Sequence, residues 1–290
     1  MAGTVSFDLN ELVVHRHTEN PWLLKDGDEP YFFVIKYRSR FGTPGSTKVE
    51  WMGTLDPLKT DMKSGSKVTI PDHLGKISFN DVERLGAADF MNGLQPEVYG
   101  FHIQVMEQDH TNNPTLRDII SQAQHALKKE LVENIENNPV SIEYKDGNLA
   151  FDLTRKVDFE DIKDIVEDAP NKVGAFLRNT FKRVGISTIL GGPVGFGISS
   201  ILSLTGLLSK DDEVGIADFN FLGVNHEVAS ELEQKLQKDN PDDDPVDINT
   251  LDDVAVKGSF FDEINDSTPG RTIGKLKPKS SNFPGEYVFN

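Results

Sequence analysis

The amino-acid sequence predicts an α+β protein, mainly an antiparallel β-sandwich, interrupted by a helical insertion that holds a Gly/Ser-rich apolar helix or helical hairpin. Three observations predict it. Aromatic and β-branched segments dominate residues 4–107, several of them alternating with period two. The period changes to a helical one over 114–137, and strand character returns at 214. Strands that close a sandwich after a long helical excursion give this order.

The elements follow in sequence. Residues 4–17 carry Val5, Phe7, Leu9, Leu12, Val13 and Val14, and 31–40 read YFFVIKYRSR; both are expected strands. Pro21, Gly27 and Pro30 punctuate the connection between them. Further strands are expected at 47–52, 66–70, 76–80 and 97–107. Leu116, Ile119, Ile120, Ala123, Leu127, Leu131 and Ile135 then share one helical face, with Asn113-Pro114 at its start and Asn138-Pro139 at its end. A hairpin turning at Asp146-Gly147 follows, then an acidic helix at 158–168 and a basic one at 171–184. Strands at 214–224, 253–261 and 286–289 and a helix at 226–238 complete the chain. The expected division is 1–112 with 210–290 as a discontinuous sandwich, and 113–209 as the helical insertion.

Composition excludes several functions. The 290 residues contain no Cys, so disulfides, thiolate zinc sites and a thiol nucleophile are ruled out. A net charge of -17 argues against nucleic acid, whose sequence-independent binding comes from Lys and Arg neutralising phosphates. It would also repel an anionic membrane unless divalent cations or a local basic patch intervened. Acids at Asp8 and Glu11 stand where a secretory signal needs a basic start and an apolar run. Synthesis in the cytoplasm without classical export is expected, followed by membrane association or release through a non-classical route.

One segment departs from this composition. Val184 to Ser209 is a run of 26 residues without a charge, in a chain that is 27% charged. Its length suffices to cross a hydrocarbon core as a helix. Twelve strongly apolar residues, Val184 to Leu208, supply about 4–7 kcal/mol toward insertion. The rest are Gly, Ser, Thr and Pro. Ser187, Gly191, Gly195, Ser199 and Ser203 recur every fourth position and form a narrow stripe that lets another helix approach closely. Gly191-Gly192-Pro193 would instead break the run into a hairpin. A lipid span and a buried hairpin are both compatible with this pattern. Before it, Val173, Phe176, Leu177 and Phe181 lie on one side of a basic amphipathic helix, the type that lies on membrane surfaces.

Acidic clusters precede two expected strands, at Asp26, Asp28 and Glu29 and at Asp211, Asp212 and Glu213. Carboxylates on neighbouring loops can build the multi-oxygen cage that calcium needs. Glu29-Pro30-Tyr31 resembles the Asp-Pro-Tyr tripeptide of the C2 family of β-sandwich domains, and Asp211-Asp212-Glu213-Val214-Gly215 resembles that family's later acidic loop. The likeness covers 1–40 and 210–222. It implies Ca2+ as cofactor, with Asp26, Asp28, Glu29, Asp211 and Asp212 as ligands. Glu replaces Asp at position 29, and about 170 residues separate the two motifs, more than a C2 domain carries.

Catalytic patterns are missing. No HExxH occurs among the seven His, and GTPGSTK at 42–48 fails the phosphate-loop spacing and is expected to be a hairpin turn. A non-enzyme is therefore expected. The leading expectation is a membrane-active protein of toxin, effector or pore-forming type, in which a docking sandwich carries an insertable segment. The alternative is a structural subunit of a larger complex that uses the small-residue stripe for helix packing. Partners would be a lipid membrane, a protein or further copies of the chain.

Overall fold

A computed structural model describes residues 3–16, 29–63, 65–108, 113–145, 148–152, 213–239, 248, 250, 273–276, 278–280 and 286–289. The described chain is α+β, with mostly antiparallel sheets. Its strands are β1 (Gly3–Leu9), β2 (Glu11–Arg16), β3 (Pro30–Arg40), β4 (Lys48–Thr54), β5 (Lys67–Thr69), β6 (Lys76–Val82), β7 (Glu97–Glu107), β8 (Ser141–Lys145), β9 (Asn148–Asp152), β10 (Glu213–Leu222), β11 (Ile273–Leu276), β12 (Pro278–Ser280) and β13 (Glu286–Phe289). Its helices are α1 (Asp72–Gly75), α2 (Ala87–Met91), α3 (Asn113–Leu131) and α4 (His226–Asp239).

The central sheet has the order β10-β7-β3-β4 and is antiparallel throughout. An outer sheet, β12-β13-β1-β6, lies against one of its faces. Between them sits a core built from Val5, Phe7 and Leu9 of β1, Ile77 and Phe79 of β6, and Phe32, Val34, Phe101, Ile103, Val105 and Phe221 of the central strands. Aromatic rings dominate this layer. Phe7 meets Phe101 edge-on at 4.8 Å, and Tyr99 stacks on Phe221 at 4.9 Å.

Helices cover the other face. Tyr31, Phe33, Ile35 and Tyr37 are the alternate residues of β3, and they pack with Leu116, Ile120, Ala123, Leu127 and Leu131 of α3 and with Val228, Ala229 and Leu232 of α4. The first half of β3 is thus buried on both sides, which is why YFFVI reads as an uninterrupted apolar run. Helix α3 begins at Asn113-Pro114, as the sequence predicts. Asn225 caps α4, its Oδ1 accepting the Val228 N–H at 2.9 Å.

Two features depart from the sequence expectation. The strand expected over 4–17 is two strands in different sheets, β1 and β2, divided at Asn10. The reason is parity. Leu9 and Leu12 are both buried, and strict alternation would send them to opposite faces, so the break at Asn10 resets the pattern. Strands β11 and β12 were not expected, because they are short, contain Lys and Pro, and are held by backbone pairing to β2 and β13. The expected elements at 158–168, 171–184 and 253–261, and the apolar segment 184–209, lie outside the described residues.

Candidate functional site: an ionic cleft between the sheets

Strand β3 changes character halfway along one face. Phe32 and Val34 point into the aromatic core, and Lys36, Arg38 and Arg40 continue the same row at period two. The change occurs beside β6, the edge strand of the outer sheet, whose outward carbonyls lack a strand partner among the described residues. The basic row caps them. Lys36 Nζ donates to the Ser78 carbonyl at 3.3 Å, and Arg38 Nη1 to the Asn80 carbonyl at 2.7 Å. Charge therefore closes the gap where apolar packing ends.

Behind this row lies Glu97, whose side chain is only 4% exposed. Its carboxylate accepts two hydrogen bonds from Arg38, through Nε and at 2.8 Å through Nη2, and one from Arg40 Nη2 at 3.1 Å. The Tyr99 hydroxyl donates a fourth at 2.8 Å. Arg40 also pairs with Glu83 at 2.7 Å. Burial pushes the Glu97 carboxyl toward the neutral form, but the hydrogen bonds from Arg38 and Tyr99 and the two guanidinium charges outweigh it and hold the group below the usual carboxylate range. The Glu97 hydrogen bond raises Arg38 in turn, against its own desolvation. The Arg38 guanidinium also lies 5.0 Å from the centroid of the Tyr99 ring. Held on three sides, it has little freedom to move.

In front of Arg38 opens a cleft of about 250 Å³, lined by Lys36, Arg38, Lys48, Glu50, Asn80 and Asp81 among others. Cross-strand register places Arg38 opposite Lys48 and Lys36 opposite Glu50. Lys36 pairs with Glu50 at 3.0 Å. Asp81 has φ +56, a left-handed conformation uncommon for a residue other than Gly, at the point where β6 carries one residue more than β1. This bulge turns the Asn80 carbonyl and the Asp81 backbone into the cleft's wall. The sequence reading passed over the basic row, although K-x-R-x-R at period two, directly after an apolar strand half, was a signal for it.

The loop 41–47 joins β3 to β4 as a hairpin connection, as expected. Its amides nevertheless hold an anion. The Glu136 carboxylate accepts the Gly45 N–H at 2.7 Å and the Thr47 N–H at 2.8 Å. A π-helical turn, Val132–Glu136, ends α3 and buries both Ile135 and Glu136, which carries the carboxylate to the loop. Hydrogen bonding from Thr47, opposed by desolvation and aided by the Gly45 amide, lowers the pKa of Glu136.

Of the residues expected to bind calcium, Glu29 is described and Asp26, Asp28, Asp211 and Asp212 lie outside the described residues. Glu29 accepts the Gln108 N–H on its carbonyl at 3.1 Å. Strands β3 and β10 both start at the end of the sheet where β7 finishes, with Pro30 opposite Glu107 and Glu213 opposite Met106. Glu29 and Glu213 thus stand at the same sheet end with β7 between their strands, about 10 Å apart at two strand spacings. Among the described residues no group of three or more His, Asp or Glu is placed to hold a metal ion. Phe176, Phe181, Ser187, Gly191, Gly195, Ser199 and Ser203 lie outside the described residues, and no described helix is long and apolar enough to cross a membrane. No protein-family model, curated protein or solved structure matches this chain.

Proposed function

We propose that this chain is a membrane-active protein of toxin or effector type, in which the facing sheets form a docking sandwich and residues 171–209 insert into lipid. The observation that carries this reading is where the uncharged run 184–209 enters the chain path. It lies between β7 and β10, which are adjacent, antiparallel and paired from Glu213↔Met106 to Leu222↔Val98. The run can therefore leave the body without unpairing either strand. Calcium belongs to this reading, held by Asp26, Asp28, Glu29, Asp211 and Asp212; what supports it is that Glu29 and Glu213, the described members of the two acidic clusters, stand at one end of the central sheet. Bound cations would offset the repulsion between a chain of charge -17 and an anionic surface. No catalytic step is part of the proposal.

The test is liposome flotation and dye leakage, with and without calcium, at neutral and acidic pH. Binding with leakage in any of these conditions supports the reading, and absence of binding in all of them removes it. A second reading, a structural subunit, is favoured by the four-residue repeat of Ser187, Gly191, Gly195, Ser199 and Ser203. It requires a stable oligomer or hetero-complex without lipid, and light scattering that finds a lone monomer at high concentration counts against it.

A further inference from the structure

We propose that the cleft between β3, β4 and β6 binds a phosphate ester that carries an amine, with its phosphate between Arg38 and Lys48. The first reason is an electrostatic imbalance. Arg38 and Lys48 are direct cross-strand partners on one face, an arrangement of like charges that destabilises a sheet unless an anion lies between them. Glu97 answers Arg38 from behind, whereas Lys48, an exposed residue that lines the cleft, has no ion pair among the described residues. The second reason is preorganisation. Glu97, the Asn80 carbonyl and the Tyr99 ring fix the Arg38 guanidinium before any ligand arrives, so no side-chain ordering is required of it on binding.

The third reason concerns the rest of the ligand. Glu50 and Asp81 also line the cleft, and they would repel a ligand that is anionic throughout. An ammonium a few bonds from the phosphate turns that repulsion into attraction. A phosphoethanolamine unit has this form, whether as a free ester or as the headgroup of a lipid. The left-handed backbone at Asp81 is consistent with a wall shaped for binding, since strained conformations of this kind cluster at ligand sites. The inference does not depend on insertion of residues 171–209, and its test is separate.

Calorimetric titration of the full chain with soluble O-phosphoethanolamine, inorganic phosphate and ethanolamine measures the site directly. Phosphoethanolamine is expected to bind about tenfold more tightly than either half alone, and Lys48→Glu should weaken it by about tenfold, the effect of one charge-assisted contact. The same substitution should leave the melting temperature unchanged or raise it, since it removes the like-charge pair with Arg38; loss of binding is then not loss of fold. Equal binding by Lys48→Glu and the unsubstituted chain, or no saturation by about 10 mM ligand, overturns the proposal. Vesicles of phosphatidylcholine and phosphatidylethanolamine separate the two sources. Flotation that soluble phosphoethanolamine reverses assigns a lipid headgroup, and soluble binding without flotation assigns a free ester; either result supports the cleft, while only flotation bears on membrane activity.

Discussion

A buried carboxylate is retained at Glu97 because four donors surround it, and removing it would expose how much they depend on it. Glu97→Ala leaves Arg38 and Arg40 half-buried without their shared anion, a change expected to cost about 3–5 kcal/mol in urea unfolding. Its pH dependence has a definite sign. The folded pKa lies below that of the unfolded chain, so the stabilisation is full above the ordinary carboxylate range and is lost as pH falls from there through the depressed folded value. Denaturant midpoints between about pH 6 and pH 3 should therefore fall less steeply in Glu97→Gln than in the unsubstituted chain. Glu136→Ala should cost about 1–3 kcal/mol, because the Gly45 and Thr47 amides lose their acceptor. An unchanged midpoint would mean that water replaces the carboxylate. Glu136 was not legible in the sequence, since the π-turn that aims it has no local signature.

Elements were legible where one period held over their length, and obscure where two constraints met. Helix α3 was readable because one apolar stripe runs from Leu116 to Ile135. The division of β1 from β2 was not, because a parity change over one residue resembles imperfect alternation. The β3–β4 ribbon illustrates the same point through Gly53, whose φ of +116 places a hypothetical methyl 2.5 Å from the Phe32 carbonyl oxygen. Gly53→Ala should therefore destabilise by at least about 1 kcal/mol, measured as a lower melting temperature. In the uncharged segment, a Gly191→Leu, Gly195→Leu double variant separates the two functional readings. Single-helix insertion would tolerate or favour the added bulk, while helix packing would be disrupted at about 1–3 kcal/mol. Disruption is the expected outcome, read as loss of assembly or of thermal stability.

At the scale of the whole molecule, the class of fold was readable from element order, but the layering was not. Nothing in the sequence says that the helices cover the face of the central sheet turned away from the outer sheet; pairing over long separations, such as β1 with β13, settles it. Glu29 and Glu213 stand at one end of the central sheet, a placement set by the pairing of β3 and β10 with β7. The cleft escaped notice because its residues come from three strands whose adjacency is tertiary. If residues 154–211 are replaced by a flexible Gly/Ser linker, the central sheet should keep its cooperative unfolding, since β7 and β10 pair with each other directly. Loss of a single sharp transition in that variant would show the excised residues to be part of the body's core.

The pairing of β7 with β10 also orders events during synthesis. The inner faces of β3 and β7 are complete once residue 107 has left the ribosome, but Phe221, which stacks on Tyr99, follows more than a hundred residues later. In that interval the uncharged run 184–209 emerges while the aromatic layer still lacks its last strand. Two apolar surfaces of one nascent chain are then exposed together, a condition that favours misassembly or capture by a chaperone. Chains stalled near residue 210 should accordingly be cleaved readily by proteases within β7, and chains released after β10 should resist.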